Sequence, residues 1–482
     1  MNTLFSRGAR RATPAKGRRD RIRGREAGAE ARRRLIADVV LTLLALLAIL
    51  LCLPPLQARA QETPEPLSLK QAVAAASGGA PSVSMATLRA AQVEGRLAQA
   101  RSVYLPSLGG SATFVRQTLN EESFGITLPS PPGVAPDILI GPFNIWDARG
   151  EVTQTLFSPA GWLRAQAAQR NLAASRAETG TAQQAAAAQA GAAYVAAAQA
   201  QATLEARRRE LGLAQELQGV AEKQLQAGVA THLDLVRAQT QVATARSAIE
   251  LAQYQVTQSQ IDLARALGLP PERRFAITDT LGASMGSSSV PETREETVAL
   301  ALDQRPERQA ARARFAAAST AARAVGAERL GTLQVVGQYG YNGISPDDWI
   351  RTGMISAGYS IPLFEGGRLE GRRHEQWAQA EEASVQLKDL ERQITAEVEG
   401  AFEALESGRA RRAIAQEQLS LAEEEEREAR QLFANGLTGN IEVINAQADL
   451  VRAHTALIET EAQTALARVR LARAAGVALT LE

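Results

Sequence analysis

Two different hydrophobic periods organise this chain. Apolar side chains recur at Leu387, Leu390, Ile394, Val398, Phe402 and Leu405, in steps of three and four. That is the stripe of a helix packed along another helix. Elsewhere the period is two. Leu333, Val335, Tyr339 and Tyr341 share one face, with Thr332, Gln334 and Gln338 on the other. Ile355, Ala357, Tyr359 and Ile361 likewise oppose Thr352, Ser356 and Ser360. Alternation with tyrosine on the apolar side suits a barrel strand whose outside meets lipid. An amphipathic hairpin on a soluble core would alternate in the same way.

Helix predominates in the rest. Ser158-Pro159 combines an N-cap residue with proline in the first turn, and no further proline occurs before Pro270. The spacing predicts a helix over about 159–227, roughly 100 Å long at ~1.5 Å per residue. A partner of equal length is predicted over about 367–435. The first is alanine-rich over 183–201 and carries Gly180, Gly191, Gly212 and Gly219. Each glycine costs up to about 1 kcal/mol relative to alanine, for which close helix packing is the expected compensation.

The two halves of the chain echo each other. Gln226-Ala-Gly-Val-Ala-Thr-His-Leu-Asp-Leu-Val-Arg-Ala-Gln239 returns 208 positions later as Ala434-Asn-Gly-Leu-Thr-Gly-Asn-Ile-Glu-Val-Ile-Asn-Ala-Gln447. Gly268 and Gly476 keep the same offset, whereas the capping-box patterns Ser68-x-x-Gln71 and Thr293-x-x-Glu296 are 225 apart. One unit was therefore duplicated, and the first copy holds about 18 extra residues around the proline-rich stretch 128–136. The predicted plan is a first repeat at 61–268, with a half-length helix over roughly 68–103, a β-hairpin at about 106–157, the long helix and a half-length helix at about 233–267. A proline-, glycine- and serine-rich linker at mid-height covers 269–291. A second repeat at 292–476 repeats the order, with a half-length helix over roughly 293–329, a hairpin at about 332–364, the long helix and a half-length helix at about 441–475. Residues 477–482 form a tail.

Four strands per chain are too few to close a membrane barrel, and an open sheet in lipid leaves unpaired edges. Three chains together supply about 12 strands and a closed ring, with the long helices continuing it as a cylinder. The expected fold class is mainly α with a β-barrel part: a duplicated helix–hairpin–helix unit whose coiled-coil helices form a trimeric α-barrel continuous with a 12-stranded transmembrane β-barrel.

Composition adds the compartment. The first 60 residues hold 13 Lys/Arg against four acids, then an apolar run from Val39 to Leu53 and Ala58-Arg59-Ala60. A basic flank, a short apolar stretch and an A-x-A site predict a signal peptide over 1–60, an uncleaved anchor being the alternative. The remainder carries 40 Lys/Arg against 48 acids, a net charge of −8 that disfavours a nucleic-acid partner. The single cysteine, Cys52, lies within the apolar run; a lipid anchor there is disfavoured by the bulky Leu50-Leu51 before it. No disulfide, thiolate metal site or cofactor is expected. His232, His374 and His454 lack ligand spacing, and Gly282-x-Ser284-x-Gly286 falls in the linker instead of a strand–helix elbow, so no enzyme is expected.

In order and spacing the chain resembles the TolC-type outer-membrane efflux family of Gram-negative bacteria. The resemblance rests on Tyr104-Leu105-Pro106-Ser107-Leu108, Leu156-Phe157, Ile361-Pro362-Leu363-Phe364-Glu365-Gly366-Gly367, both turn-and-return segments, and the closing Leu267-Gly268 and Ala475-Gly476. It implies a homotrimeric channel-tunnel in the outer membrane with a long periplasmic extension. Such a channel is the passive exit duct of a tripartite pump or type I secretion system, joined to a periplasmic adaptor and a proton- or ATP-driven inner-membrane pump. The alternative is a periplasmic adaptor protein of such a machine. One departure is Leu330-Gly331-Thr332-Leu333 in place of the proline corner, from which a softer corner is expected.

The resemblance also implies site residues. Glu442 and Asn445 fall where the family rings its periplasmic aperture with acids, so three carboxylates are expected instead of six; Glu442 also reads as a solvated helix-start acid. Asp234 matches an acid that the family locks to a tyrosine and an arginine. Phe433 and Thr438 stand at those two positions and cannot make the charged lock. Closure by packing or other bonds is expected, with Arg237 a candidate partner for Glu442. Gly228, Val229, Gly436 and Leu437, with Thr438, are the expected adaptor-docking tips, or simply structural turns.

Overall fold

The computed structural model describes residues 65–120, 125, 139–282 and 284–482. The expected signal peptide, Cys52 and the proline-rich stretch 128–136 lie outside the described residues. Element order is β1 (Glu65–Leu67), α1 (Leu69–Gly79), α2 (Pro81–Arg101), β2 (Ser107–Asn120), β3 (Leu139–Phe157), α3 (Pro159–Gln226) and α4 (His232–Ala266). There follow β4 (Phe275–Ile277), α5 (Arg294–Gln304), α6 (Pro306–Ala327), β5 (Thr332–Gly343), β6 (Ile350–Ser360), α7 (Arg368–Ala434) and α8 (Asn440–Ala475).

The opening half-helix of each repeat, expected as one piece, is broken in two. Ser68 and Gln71 form a complete capping box at the start of α1, yet Ala80 leaves the helix at φ −63°, ψ 137°. Arg305 does the same at φ −65°, ψ 122°. The cause is the following proline, which lacks an N–H and pushes its predecessor out of the helical region. Each proline then starts the next helix.

Helix α3, 68 residues long, is the spine. It touches α2 and α6 in the half nearer the sheet, and α4 and α8 in the other half. Helix α7 lies outermost, against α6 and then α8. The helices therefore form a single layer, with α2 and α4 along one border and α7 along the other. Alanine allows the close approach: Ala187, Ala190 and Ala197 are almost completely buried. A Cβ on Gly180 would lie 3.2 Å from Pro306, and one on Gly191 3.4 Å from Leu481 and Val469. Gly212 and Gly219 face open space instead, so packing within the chain does not account for them. On α7 the predicted stripe is buried at Ile394, Val398, Phe402 and Leu405, packed with Ala301, Ala467 and Leu471.

At mid-height the linker is clasped to the helices. Strands β1 and β4 pair in parallel. Tyr194, fully buried on α3, places its hydroxyl 2.9 Å from the Leu67 carbonyl and 2.9 Å from Asp279 Oδ2, which also accepts from the Leu69 amide at 2.8 Å. Burial is the main cause that pushes the Tyr194 phenol up to about 12.

The four remaining strands form one antiparallel sheet in the order β2-β3-β5-β6, and the β3–β5 pairing joins the repeats. Its register sorts the side chains. Leu108, Ala112 and Phe114 oppose Val152, Ala148 and Trp146, and Leu333 and Val335 oppose Tyr359 and Ala357, so one face is apolar. The other face carries Asp147, Arg149, Glu151 and Gln338. At the sheet-to-helix corner Gly331 adopts φ +71°, and a Cβ there would collide with the Ser360 carbonyl. The expected soft corner is instead a close approach of two backbones that only glycine permits.

Tyr194→Phe is expected to cost about 1–3 kcal/mol, because it strips a partner from buried acceptors. The phenol is held above its ordinary value of 10.0, so its contribution is complete below pH 10 and lost as pH rises towards about 12. Denaturant titration of wild type and variant across that range measures both.

Candidate channel mouth and channel wall

The ends of the two long helices build one tip. At the end of α3 Gly228 takes φ +74°, its amide donating to the Leu225 carbonyl at 3.0 Å and the Val229 amide to Gln224 at 2.9 Å. At the end of α7 Gly436 takes φ +71°, with Gly436 donating to Phe433 at 3.0 Å and Leu437 to Leu432 at 2.9 Å. These paired bonds are Schellman closures, which satisfy the last carbonyls and require a left-handed residue. They leave Val229 79% and Leu437 73% exposed, two apolar side chains standing off the turns.

The returning helices begin differently. Helix α4 has a full capping box: the Asp234 amide donates to Thr231 Oγ1, while Asp234 Oδ2 accepts from the Thr231 amide at 3.1 Å and hydroxyl at 2.6 Å. These bonds from Thr231 hold the Asp234 carboxyl below the ordinary carboxylate range. Their stabilisation is present above that range and lost as pH falls through the depressed value. Helix α8 starts from Gly439, whose lack of a side chain leaves Glu442 to complement the helix N-terminus by charge alone. Glu442 and Asn445 are both exposed, one turn apart on α8. Arg237 lies 3.8 Å from Asp234 on its own helix, and no ion pair with Glu442 occurs among the described residues.

No charged lock joins the two turns themselves among the described residues, although Arg430 of α7 pairs with Glu216 of α3 nearby at 3.0 Å. Phe433 is buried with Leu217 and Val443, and Thr438, five residues on and past the turn, is half-buried. Asn440, 2% exposed, donates from Nδ2 to the main-chain carbonyl of Asp234 at 2.9 Å. Gln224 donates to the Phe433 carbonyl at 3.3 Å. Asn440 and Gln224 were not singled out from the sequence. Asn440 lies within the echo and Gln224 just before it, but a bond from a side chain to a distant main-chain carbonyl leaves no residue pattern.

The polar face of the sheet was missed as well. Arg149 pairs with Asp147 and donates to Gln338 at 3.2 Å, and Gln338 donates to Glu151 at 2.6 Å. The alternation Asp147-x-Arg149-x-Glu151-x-Thr153 was the available signal. The sheet thus has one mostly apolar face and one face carrying an ionic cluster. Among the described residues no helix is long and apolar enough to cross a membrane.

Residues 72–269 and 297–477 match the Outer membrane efflux protein family, one segment for each repeat. The chain belongs to that family. It is therefore an outer-membrane protein, and the family and fold are those of channel proteins. Outer membrane efflux protein BepC of Brucella suis biovar 1 (strain 1330) is 26% identical over 298 residues. That alignment spans 60% of this chain and 62% of BepC. Among solved structures, the outer membrane protein VceC of Vibrio cholerae superposes with a TM-score of 0.71 at 22% identity, over 85% of this chain and 96% of VceC. The Campylobacter jejuni CmeC outer membrane channel gives 0.72 at 15% identity, over 85% and 86%. These show the shared channel-tunnel fold. The adaptor alternative has no support from either comparison.

Asn440→Ala is expected to loosen the tips by about 1 kcal/mol, the net value of one hydrogen bond, and so to speed amide exchange in 224–234 about fivefold. Asp234→Ala keeps the carbonyl that Asn440 uses, and should loosen the start of α4 without the same gain at Gln224. Hydrogen exchange of the two variants separates the effects.

Proposed function

We propose that three copies of this chain form a closed duct through which a tripartite efflux pump or type I secretion system discharges across the outer membrane. The observation that carries this reading is the pair of open borders. Strand β2 follows α2 and β6 precedes α7, so the sheet edges lie in chain continuity with the outermost helices of the layer. The four strands alternate in direction, so β6 of one copy is antiparallel to β2 of the next. Closure in a ring gives every edge a partner, which hydrocarbon demands. The apolar face then meets lipid and the Asp147–Arg149–Glu151 face meets water. The helices continue the wall for about 100 Å into the periplasm.

The tips form the mouth in this reading. Glu442 and Asn445 line the aperture, with Asp234, Arg237, Phe433 and Thr438 behind it. A ring of three Glu442 carboxylates about 6 Å apart repels by roughly 0.7–3 kcal/mol per pair between dielectric 80 and 20, favouring cations and opposing closure. The bonds of Asn440 and Gln224 and the Phe433 cluster oppose opening. Gly228, Val229, Gly436 and Leu437 present the surface on which a periplasmic adaptor docks, and the adaptor links the duct to an inner-membrane pump, proton- or ATP-driven.

Detergent extracts of outer membranes should yield a trimer that dissociates on heating; a water-soluble monomer would overturn the assembly. In planar bilayers, Glu442→Gln should reduce cation preference and weaken block by multivalent cations, and Asn445→Asp should strengthen both. Unchanged conductance in both variants would remove these residues from the aperture.

A further inference from the structure

The two repeats clasp the mid-height linker with equivalent helix positions but different chemistry. Gln260 of α4 and Arg468 of α8 are 208 positions apart, the offset of the echo. Gln260 is satisfied on both sides: its amide donates to the Phe275 carbonyl at 2.9 Å and its oxygen accepts from the Phe275 amide at 2.9 Å. Arg468 donates once, to the Met285 carbonyl at 2.9 Å, and has no ion pair among the described residues. A neutral clasp in one repeat has become a cationic one with donors to spare.

Those donors border a cavity of about 490 Å³ between the linker, α7 and α8. Arg409 lines it as well, with no hydrogen bond or ion pair among the described residues; Ser287, Ser288 and Phe402 also contribute. Position 409 corresponds in the first repeat to Gln201 or Ala202, both uncharged. Two acids line it too. Glu406 is engaged by Arg294 at 3.6 Å, and Glu292 is exposed. Arg412, the third nearby arginine, is paired with Glu461 at 3.2 Å. Burial, and after it the like charges of Arg409 and Arg412, hold the Arg468 guanidinium below its ordinary value. A half-buried guanidinium beside a cavity, with like charges and no acid among those that act on it, is an electrostatic deficit that a bound anion removes.

We infer that this cavity is a binding site for a small oxyanion, held between the guanidinium groups of Arg468 and Arg409 beside the Ser287-Ser288 segment. Guanidinium groups suit phosphoryl and carboxylate oxygens through paired N–H donors. The site lies at the linker, away from the tips and the sheet, and its occupancy does not depend on the duct reading. A bound anion would join the linker to both α7 and α8.

Inorganic phosphate and succinate are the probes, titrated calorimetrically into the full-length protein in detergent at constant ionic strength set with chloride. Saturable binding of either probe, one per chain, is expected, and which of them binds distinguishes a phosphoryl from a carboxylate ligand. Arg409→Gln alters an exposed side chain without partners, so the fold is retained, and it should weaken binding at least tenfold. Arg468→Gln, which restores the residue of the first repeat, should do the same. No saturable binding of either probe, or equal affinity in wild type and Arg409→Gln, overturns the site.

Discussion

Backbone hydrogen bonding along the outer edges of β2 and β6 is the constraint on which the architecture rests. Among the described residues each is an outermost strand of the sheet, with a neighbouring strand on one side alone. Water satisfies the N–H and C=O groups of a soluble edge; hydrocarbon does not, and each unpaired group there costs several kcal/mol. In the proposed ring, lipid covers the face shared by Leu108, Val152, Tyr339 and Ile355, so the edges lie in hydrocarbon as well. The same strands continue into the outermost helices, so what satisfies the sheet also sets how the helical layer is bordered.

Duplication supplies the geometry and divergence supplies the chemistry. Both repeats break their opening helix at a proline, reverse the long helix at a left-handed glycine and close with the same Schellman bonds. Within that common frame the pairs differ. Thr231 caps α4 with a side chain where Gly439 cannot, Gln260 is neutral where Arg468 is charged, and Pro106 turns a corner that Gly331 makes by close approach. A pseudo-symmetric scaffold thus carries distinct groups at equivalent points of the wall.

Interactions at the tips are short-range and mostly uncharged. Phe433 gains burial with Leu217 and Val443, and Asn440 and Gln224 reach main-chain carbonyls across the turns. Bonds of this kind are weak singly and insensitive to salt, unlike an exposed ion pair. Asp234, the residue whose charge drew attention, spends its carboxylate on its own helix start.

The sequence alone determined everything that repeats along one dimension. Periods of two and of three-and-four placed the strands and the long helices, the 208-residue echo exposed the duplication, and the resemblance of ordered segments identified the fold class and family. Turn positions followed from Gly228 and Gly436, because a left-handed reversal admits few residues. Tertiary structure decided the rest. The ordering of β3 beside β5, the burial of Tyr194 against Leu67 and Asp279, the open space at Gly212 and the collision that reserves position 331 for glycine depend on which backbones meet. Composition records what a residue is able to bond. Only the packing of segments distant in the sequence settles which partner it finds, since contact energies of about 1 kcal/mol act over a few ångströms and leave no periodic trace in the chain.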